Sequence, residues 1–237
     1  MKTLLNIDNM EFDGFNVEAD LIYCDFIYEN LNFDWADKYV NYLKWGGIFI
    51  VQTDFHSCAE IWNYLKNNLG LKLVSHSVVK CEWGNHPKRT FHQCFDDVLI
   101  FTNDEKEYKF YPERIQVDKV TKSKGLNPSG RQTKTATAWI DDCTLTTTSK
   151  ERVRKPDNHL LRWQKPLKLY DRIINPFVDA GDLILDPFMG SGSLGLWSQL
   201  NAVNYIGIEK DPDVFALAQK NVSPERTEIE YQMEWSL

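Results

Sequence analysis

Residues 183–210 read LILDPFMGSGSLGLWSQLNAVNYIGIEK and contain, in order, an apolar run, a glycine-rich turn, a helical pattern and a second apolar run. The first run is short and wholly apolar, which is typical of a strand buried on both faces of a parallel sheet. Gly190 and Gly192 allow a tight turn and the close approach of a ligand. Glu209 follows the second run, and an acid about 20 residues after such a turn commonly binds ribose hydroxyls. The stretch therefore predicts one half of a nucleotide-binding α/β fold.

The sequence around this stretch continues the alternation of strand and helix patterns. Strand patterns cover residues 20–24, 48–51, 71–80 and 97–101, and helical patterns cover residues 35–44, 59–69, 166–177 and 212–221. Such alternation is typical of a parallel, doubly wound sheet with helices on both faces. Residues 1–19 show little periodicity, and Ser191 or Ser193 is expected to cap the helix that follows the turn.

The composition is typical of a globular protein. The chain has 237 residues, of which 43% are hydrophobic, so a substantial core can form. Its five cysteines are widely spaced and contain no CxxC pair, so we expect neither disulfides nor a metal site. We expect no secretory leader, because the first residues lack a charged-then-apolar pattern, and no apolar run of the sequence is long enough to span a bilayer. We therefore expect a cytoplasmic protein with no membrane partner.

The charge is unevenly distributed along the chain. The net charge is −7, yet residues 119–172 contain 13 basic and 5 acidic side chains and so carry a local charge of +8. A basic segment on an acidic body predicts one surface that faces phosphates, although a solvated basic loop would have the same composition.

Two further motifs precede the glycine-rich turn. The strand pattern at residues 20–24 leads directly into Asp25-Phe26-Ile27-Tyr28. Gln164-Lys165-Pro166 opens the helical pattern that comes shortly before the turn, and proline is favoured at the start of a helix.

Together these three motifs resemble those of DNA amino-methyltransferases of the N6-adenine/N4-cytosine type. Residues 186–193, Asp-Pro-Phe-Met-Gly-Ser-Gly-Ser, resemble that family's S-adenosylmethionine turn. Residues 25–28 resemble its Asp-Pro-Pro-Tyr motif with both prolines replaced, and residues 164–166 are similar to its Gln-Lys-Pro element. The order of the motifs resembles the permuted group, in which a target-recognition segment lies between the catalytic and cofactor halves. The resemblance extends from about residue 20 to residue 221.

The resemblance implies a Rossmann-like S-adenosylmethionine-dependent methyltransferase fold with a seven-stranded, mostly parallel sheet. Residues 1–105 would form the catalytic half, residues 106–160 the inserted recognition segment, and residues 161–237 the cofactor-binding half of the same domain. The residues expected to bind S-adenosylmethionine are Lys165, Pro166, Asp186, Pro187, Phe188, Gly190, Ser191, Gly192 and Glu209.

The same resemblance implies methylation of adenine N6 in double-stranded DNA, within a restriction–modification system. An exocyclic amine is a poor nucleophile because its lone pair is delocalised into the base, and hydrogen-bond acceptors favour the pyramidal nitrogen that can attack a methyl group. The resemblance gives this acceptor role to the Asp25 carboxylate and the Phe26 carbonyl, followed by Ile27, with Tyr28 stacking on a flipped base. Adenine is favoured over cytosine because the motif begins with aspartate.

Several alternatives stay open. They are N4-cytosine methylation, action on RNA, and a catalytically silent DNA-binding subunit, which the loss of two rigid prolines favours. Methylation of a cytosine ring carbon is disfavoured because it needs a cysteine nucleophile, and Cys24 is predicted to be a core residue. Asp54 is either a pocket residue or a helix N-cap, and residues 83–85 with Arg89 occupy positions that line the base pocket in the permuted group. A homodimer is also left open.

Overall fold

The apolar runs of the sequence become the strands of one central sheet in the computed structural model, which describes residues 1–26, 31–81, 88–119, 131–161, 163–223 and 225–226. The strands, in chain order, are β1 Lys2–Leu5, β2 Ala19–Asp25, β3 Leu43–Thr53, β4 Lys72–Lys80, β5 Phe95–Thr102, β6 Gln116–Asp118, β7 Thr133–Thr135, β8 Trp139–Ile140, β9 Leu183–Asp186 and β10 Asn204–Ile208. The α-helices are α1 Asp34–Tyr39, α2 Phe55–Asn67, α3 Leu167–Ile173, α4 Ser193–Leu200 and α5 Pro212–Asn221.

The sheet has the strand order β1-β10-β9-β2-β3-β5-β4-β8. The first five strands in this order are parallel to one another, β5 is antiparallel to both of its neighbours, and β8 is parallel to β4. The expected mostly parallel α/β architecture is therefore confirmed. β6 and β7 pair separately as a two-stranded antiparallel sheet.

The centre of the sheet is the point at which the chain order reverses. β9 pairs with β10 on one side and with β2 on the other, and β2 then leads to β3. In open α/β sheets, ligands bind in the crevice at the carboxyl ends of the strands at such a switch point. The ends of β9 and β2 are therefore the place to look for a site.

Two apolar layers cover the two faces of the sheet. Alternate residues of β2 and β3, such as Tyr23 and Ile50, pack with α3 and α4 in one layer. The residues between them, such as Cys24 and Val51, pack with α1 and α2 in the other. Cys24 is fully buried, so its predicted core role is confirmed.

Several local predictions need correction. The described part of the sheet contains eight strands rather than seven, because β8 from the inserted segment adds to the edge at β4. Residues 2–5, which lack clear periodicity, form the opposite edge strand.

The helix predicted over residues 35–44 ends at Tyr39 and continues as the 3-10 turn Val40–Tyr42, so that Gly46 lies within β3 rather than at a helix end. Gly192, and not a serine side chain, occupies the N-cap of α4.

Residues 106–160, the predicted inserted segment, contain regular structure in their described parts. The segment supplies the short strands β6, β7 and β8 and the 3-10 helix Pro112–Ile115. Two arginines in it donate to main-chain carbonyls of residues 145–147, Arg152 to Leu145 and Thr146 and Arg154 to Thr147. Among the residues that the structure describes, no helix is long and apolar enough to cross a membrane.

The turn between β9 and α4 requires its glycines for different reasons. Gly190 and Gly192 both have left-handed backbones, with φ of 52° and 73°. A Cβ at Gly190 would have the Phe188 carbonyl oxygen, 3.9 Å away, as its nearest contact, whereas a Cβ at Gly192 would meet Val222 Cγ2 at 2.8 Å. Gly190 therefore serves the backbone conformation, and Gly192 also serves the close packing of the turn against α5.

We expect the two alanine substitutions in this turn to differ in cost. Gly190→Ala should lower the free energy of unfolding by about 1–2 kcal/mol, the cost of a left-handed backbone for a residue with a Cβ. Gly192→Ala carries the same cost and a steric overlap of about 1–3 kcal/mol besides, so its loss should be clearly larger. Urea unfolding of both variants measures the difference, and equal losses would contradict the assigned packing role of Gly192.

Candidate active site

Four polar side chains lie at the carboxyl edge of the sheet, on the face that α3 and α4 cover. Asp186 ends β9, Asp25 ends β2, Gln52 lies near the end of β3, and Asp96 lies near the start of the antiparallel β5. Each belongs to the same alternating set as apolar residues of the α3/α4 layer, which directs all four to one side. The parallel sheet thus brings together residues that are up to 161 positions apart in the sequence, Asp25 and Asp186.

Lys165 brings a positive charge into this group. Its Nζ lies 3.3 Å from Asp25 Oδ2 and 3.0 Å from Asp96 Oδ2, and its side chain is only 12% exposed. Burial by itself would lower the pKa of Lys165, but the carboxylates of Asp25 and Asp96 outweigh it and raise that pKa above its ordinary value. The lysine is therefore charged at neutral pH and binds two carboxylates at once.

A hydrogen-bond chain orients Asp96 from the other side. The Tyr23 hydroxyl donates to Gln52 Oε1 at 2.6 Å, which turns the amide nitrogen of Gln52 toward Asp96. Gln52 Nε2 then donates to Asp96 Oδ2 at 2.7 Å. Gln52 is fully buried, and buried amides require such partners. Asp96 Oδ2 thus accepts from both Gln52 and Lys165.

Asp186 is the most deeply buried carboxyl group at this edge. Its Oδ2 accepts from the Tyr205 hydroxyl at 2.7 Å and its Oδ1 from the Phe188 main-chain N–H at 3.1 Å. Burial raises the pKa of Asp186 to about 7, and the two hydrogen bonds offset only part of that effect. The negative charges of Asp25 and Glu209 raise the same pKa further, so all three carboxylates lie within one electrostatic neighbourhood.

Glu209, at the end of β10, forms a hydrogen bond with the glycine-rich turn. Its Oε2 accepts from the Gly190 N–H at 3.0 Å, and its Oε1 accepts from the Asp211 N–H at 2.9 Å. Asp211 in turn caps α5 by accepting from two main-chain N–H groups. The carboxylate therefore joins the turn to the start of α5 and remains half-exposed beside Gly190.

Aromatic rings form one wall of the site. The Phe26 ring, which stands where the related family has proline, is buried with its centroid 4.7 Å from that of Trp35 and 5.5 Å from that of Phe188. The Phe188 ring also meets Trp35 edge-on at 6.0 Å. The ring of Phe26 thus packs against Trp35 and the predicted cofactor turn, at a position where proline would restrain the backbone covalently.

The Gln164-Lys165-Pro166 element is held by the inserted segment and by the turn. The Gln164 amide accepts from the Val153 N–H at 2.8 Å and donates to the Glu151 carbonyl at 2.7 Å and to Ser193 Oγ at 3.3 Å. The Glu151 carboxylate accepts from the Leu167 N–H at the start of α3. Pro166 is the N-cap residue of α3, so Lys165 is aimed at the carboxyl edge by rigid neighbours on both sides.

The structure brings the two predicted groups of residues to one edge of the sheet. The turn from Asp186 to Gly192 and the Lys165-Pro166 element adjoin Asp25 and Phe26, while Ile27, Tyr28 and residues 83–85 lie outside the described residues. Asp54 accepts from the Ser57 N–H at 2.9 Å, so the N-cap alternative for it is confirmed. Arg89 is exposed.

Sequence reasoning missed two members of the site, Gln52 and Asp96. The signal for Gln52 was its position after a wholly apolar strand, and polar residues at such ends are frequent site residues. The signal for Asp96 was weaker, because it is followed by Asp97 and only strand pairing decides which of the two faces the site.

Asp97 faces the opposite side, toward α2. There Cys58, His76 and Asp97 bring donor atoms within 4.8 Å of one another, a grouping that could hold a metal ion. His76 Nε2 lies 2.5 Å from Asp97 Oδ1, and burial raises the pKa of Cys58 to about 11, so its thiol is protonated at neutral pH. The histidine and the aspartate therefore satisfy each other, and the expected absence of a metal site stays a prediction.

Comparisons with known proteins agree with this geometry. A family model described as DNA methylase, of the N6/N4 type, matches residues 25–220, and the chain therefore belongs to that family. The type II methyltransferase M.HpaI of Haemophilus parainfluenzae is 27% identical over 214 residues, which cover 83% of this chain and 62% of M.HpaI. The chain thus spans less than two thirds of the length of that relative.

Solved structures show the same fold at low sequence identity. The crystal structure of an M1.HpyAVI–SAM complex has a TM-score of 0.69 and 21% identity, covering 93% of this chain and 100% of that one. The PvuII DNA methyltransferase, which is cytosine-N4-specific, has a TM-score of 0.67 and 14% identity, covering 98% of this chain and 91% of that one. The methyltransferase fold expected from the sequence is therefore confirmed.

The raised pKa of Asp186 predicts a pH dependence of stability. Its folded-state pKa of about 7 exceeds its ordinary value of 3.8, so between these values the native state keeps a proton that the unfolded chain has released. The contribution of Asp186 to stability is therefore present at low pH and lost as pH rises toward about 7, by about 4 kcal/mol in total.

Urea unfolding across this pH range, for the natural chain and for Asp186→Asn, measures the effect. The difference in stability between the two proteins should move in favour of the asparagine variant as pH rises from about 4 to about 7 and stay constant above that. A difference that does not change with pH would mean that Asp186 titrates normally.

Proposed function

We propose that this chain transfers a methyl group from S-adenosylmethionine to an exocyclic amine of a base in double-stranded DNA, with adenine N6 as the target. The observation that carries the proposal is the meeting of Asp25 with the turn that begins at Asp186, at the switch point of the sheet. An acceptor for the amine and a turn for the cofactor then lie side by side.

The residues at this edge fit S-adenosylmethionine chemically. The cofactor carries a positive sulfonium and a positive ammonium group, and Asp25, Asp96, Asp186 and Glu209 outnumber the single ammonium group of Lys165. The space next to Gly190 is open, since a Cβ there would have no neighbour closer than 3.9 Å. Glu209 is half-exposed beside that space, and its carboxylate oxygens can accept further hydrogen bonds from ribose hydroxyls.

The roles of the chain's own residues follow from this arrangement. When bound, S-adenosylmethionine supplies an electrophilic methyl group. The Asp25 carboxylate and the Phe26 carbonyl accept hydrogen bonds from the target amine and favour the pyramidal nitrogen that attacks. Phe26, Trp35 and Phe188 form an apolar wall that keeps water away from one side of the site. Ile27 and Tyr28 complete the loop in this proposal, with Tyr28 as the stacking partner of the base.

Cytosine N4 is the second candidate target. The PvuII DNA methyltransferase has the same fold and is cytosine-N4-specific, so the fold alone does not favour adenine. We favour adenine because the catalytic motif of this chain begins with Asp25. Mass spectrometry of nucleosides from DNA treated with labelled cofactor separates N6-methyladenine from N4-methylcytosine.

Residues 106–160 are the proposed target-recognition segment, between a catalytic half of residues 1–105 and a cofactor half of residues 161–237. Its exposed lysines include Lys150 and Lys155, whereas Arg152 and Arg154 are engaged with main-chain carbonyls of the same segment. Trp163, which is 76% exposed and has a φ of 66°, lies two residues before Lys165. An exposed aromatic ring near the site is suited to stacking on DNA bases.

Replacing Asp25 by alanine tests the catalytic role. Asp25→Ala should abolish methylation because the amine loses its charged acceptor, while cofactor affinity measured by calorimetry should stay nearly unchanged. The matched control is Asp20→Ala at the other end of the same strand, which removes an ion pair with Lys44 and a hydrogen bond from the Leu183 N–H and should leave the methylation rate intact. Undiminished methylation by Asp25→Ala would remove this residue from the reaction.

The salt dependence of DNA binding tests the proposed DNA surface. If Lys150 and Lys155 each contact a phosphate, the double variant with glutamine at both positions should reduce the slope of log affinity against log salt by about 1.8. The control is the pair Lys66→Gln and Lys72→Gln, two exposed lysines near the amino edge of the sheet, which should leave the slope unchanged. Equal slopes for both double variants would mean that DNA is bound elsewhere.

A further inference from the structure

Lys165 lies in an element that the family resemblance assigns to the cofactor, yet its ammonium group contacts the predicted catalytic carboxylate. Its Nζ is 3.3 Å from Asp25 Oδ2 and 3.0 Å from Asp96 Oδ2. The side chain is 12% exposed, so solvent screens these contacts far less than those of a surface ion pair. The position of this charge is therefore important for the state of Asp25.

Several described groups near Asp25 carry or could carry a negative charge. Besides Lys165, the described titratable groups that interact electrostatically with Asp25 are Asp96, Asp186, Cys81 and Tyr170 from neighbouring elements, and Cys24, which precedes it on β2 and points to the other face. Burial raises the pKa of Cys24, of Tyr170 and of Cys81, the last to about 12, so these three groups stay neutral at physiological pH. Among the described groups named here, Lys165 is the one that carries a positive charge beside Asp25.

We propose that Lys165 and Asp96 are positioning residues for Asp25: Lys165 keeps the Asp25 carboxylate ionised and correctly oriented toward the target amine, and Asp96 holds Lys165 in place. The inference rests on the proposed function, because it gives Asp25 the acceptor role. A protonated carboxyl group would present a donor to the amine and lose part of its capacity to accept. Asp96 does not touch the base in this arrangement and acts through Lys165.

The hydrogen bonds from Tyr23 through Gln52 to Asp96 affect how Lys165 divides its contacts between Asp96 and Asp25. Gln52, oriented by the Tyr23 hydroxyl, donates to the same Asp96 oxygen that accepts from Lys165. This oxygen lies closer to the ammonium nitrogen than Asp25 Oδ2 does, at 3.0 Å against 3.3 Å. Asp96 therefore takes the tighter contact, and the weaker one leaves the Asp25 carboxylate able to accept from a substrate.

The two residues should change the titration of Asp25 in opposite directions. Lys165→Met removes a positive charge near the carboxylate, so the pH at which Asp25 titrates should rise, by about 1–3 pH units. Asp96→Asn removes a negative charge while keeping the size of the side chain and an oxygen that can accept, so the same midpoint should fall. A residue that only maintained the local packing would not produce shifts of opposite sign.

The experiment is a carbon-13 NMR titration of the full chain labelled at aspartate carboxyl carbons, with the Asp25 signal assigned from its loss in Asp25→Asn. Lys165→Arg should keep a midpoint close to that of the natural chain. Lys44→Met is the matched control, because Lys44 pairs at 2.8 Å with Asp20 on the same strand as Asp25 and should leave the Asp25 signal unchanged. Should Lys165→Met fail to fold, Lys165→Gln removes the same charge while keeping a polar end, and its Asp25 midpoint should rise in the same way.

Methylation rate against pH and S-adenosylmethionine affinity are measured on the same variants. The acidic limb of the rate profile should move to higher pH in Lys165→Met and to lower pH in Asp96→Asn, with cofactor affinity nearly unchanged. A natural chain that methylates DNA but whose Asp25 midpoint is the same in all variants overturns this inference alone. Opposite shifts of the midpoint in a chain that methylates no DNA support the electrostatic arrangement and overturn the proposed function. A large loss of cofactor affinity in Lys165→Met would return the lysine to the cofactor site.

Discussion

The parallel pairing of β9 with β2 is the constraint on which the rest of the structure depends. Leu21 and Ile22 pair with Ile184 and Leu185, although these residues are more than 160 positions apart in the sequence. Because the strands run in the same direction, both of their carboxyl ends open at one edge, and each ends in an aspartate. The neighbouring strands β10 and β3 leave this centre in opposite directions and so form a crevice rather than a closed surface.

The electrostatic consequence of this pairing is a cluster of carboxyl groups in a poorly solvated place. The pKa of Asp186 is raised in this place, and Asp25 and Asp96 both form ion pairs with the ammonium group of Lys165. Burying a charge without a partner is costly, so such a cluster is stable only with compensating hydrogen bonds or a bound cation. A cationic cofactor would supply the compensation that the chain itself supplies only in part. This links the acidity of the crevice to the proposed chemistry.

The loop after β2 is where the chain differs most from the motif that it resembles. Proline would fix its own backbone by its ring, whereas the side chain of Phe26 is held by packing against Trp35 and Phe188. Packing of this kind depends on the predicted cofactor turn, since Phe188 belongs to it. The two halves of the site are therefore coupled through aromatic contacts in addition to charges.

The sequence by itself determined the buried strands, the glycine-rich turn and the helix Pro212–Asn221, because apolar periodicity, left-handed glycines and an Asp-Pro cap are local signals. It also indicated the residues that would meet at the site, through a family resemblance. Only the tertiary structure decided that Asp96 faces Lys165 while Asp97 faces His76, since this depends on the pairing of β5 with β3 and β4. The tertiary structure also decided the partners of Lys165, which are Asp25 and Asp96. A long charged side chain points toward the opposite charges around it, and here those charges come from strands that are distant in the sequence.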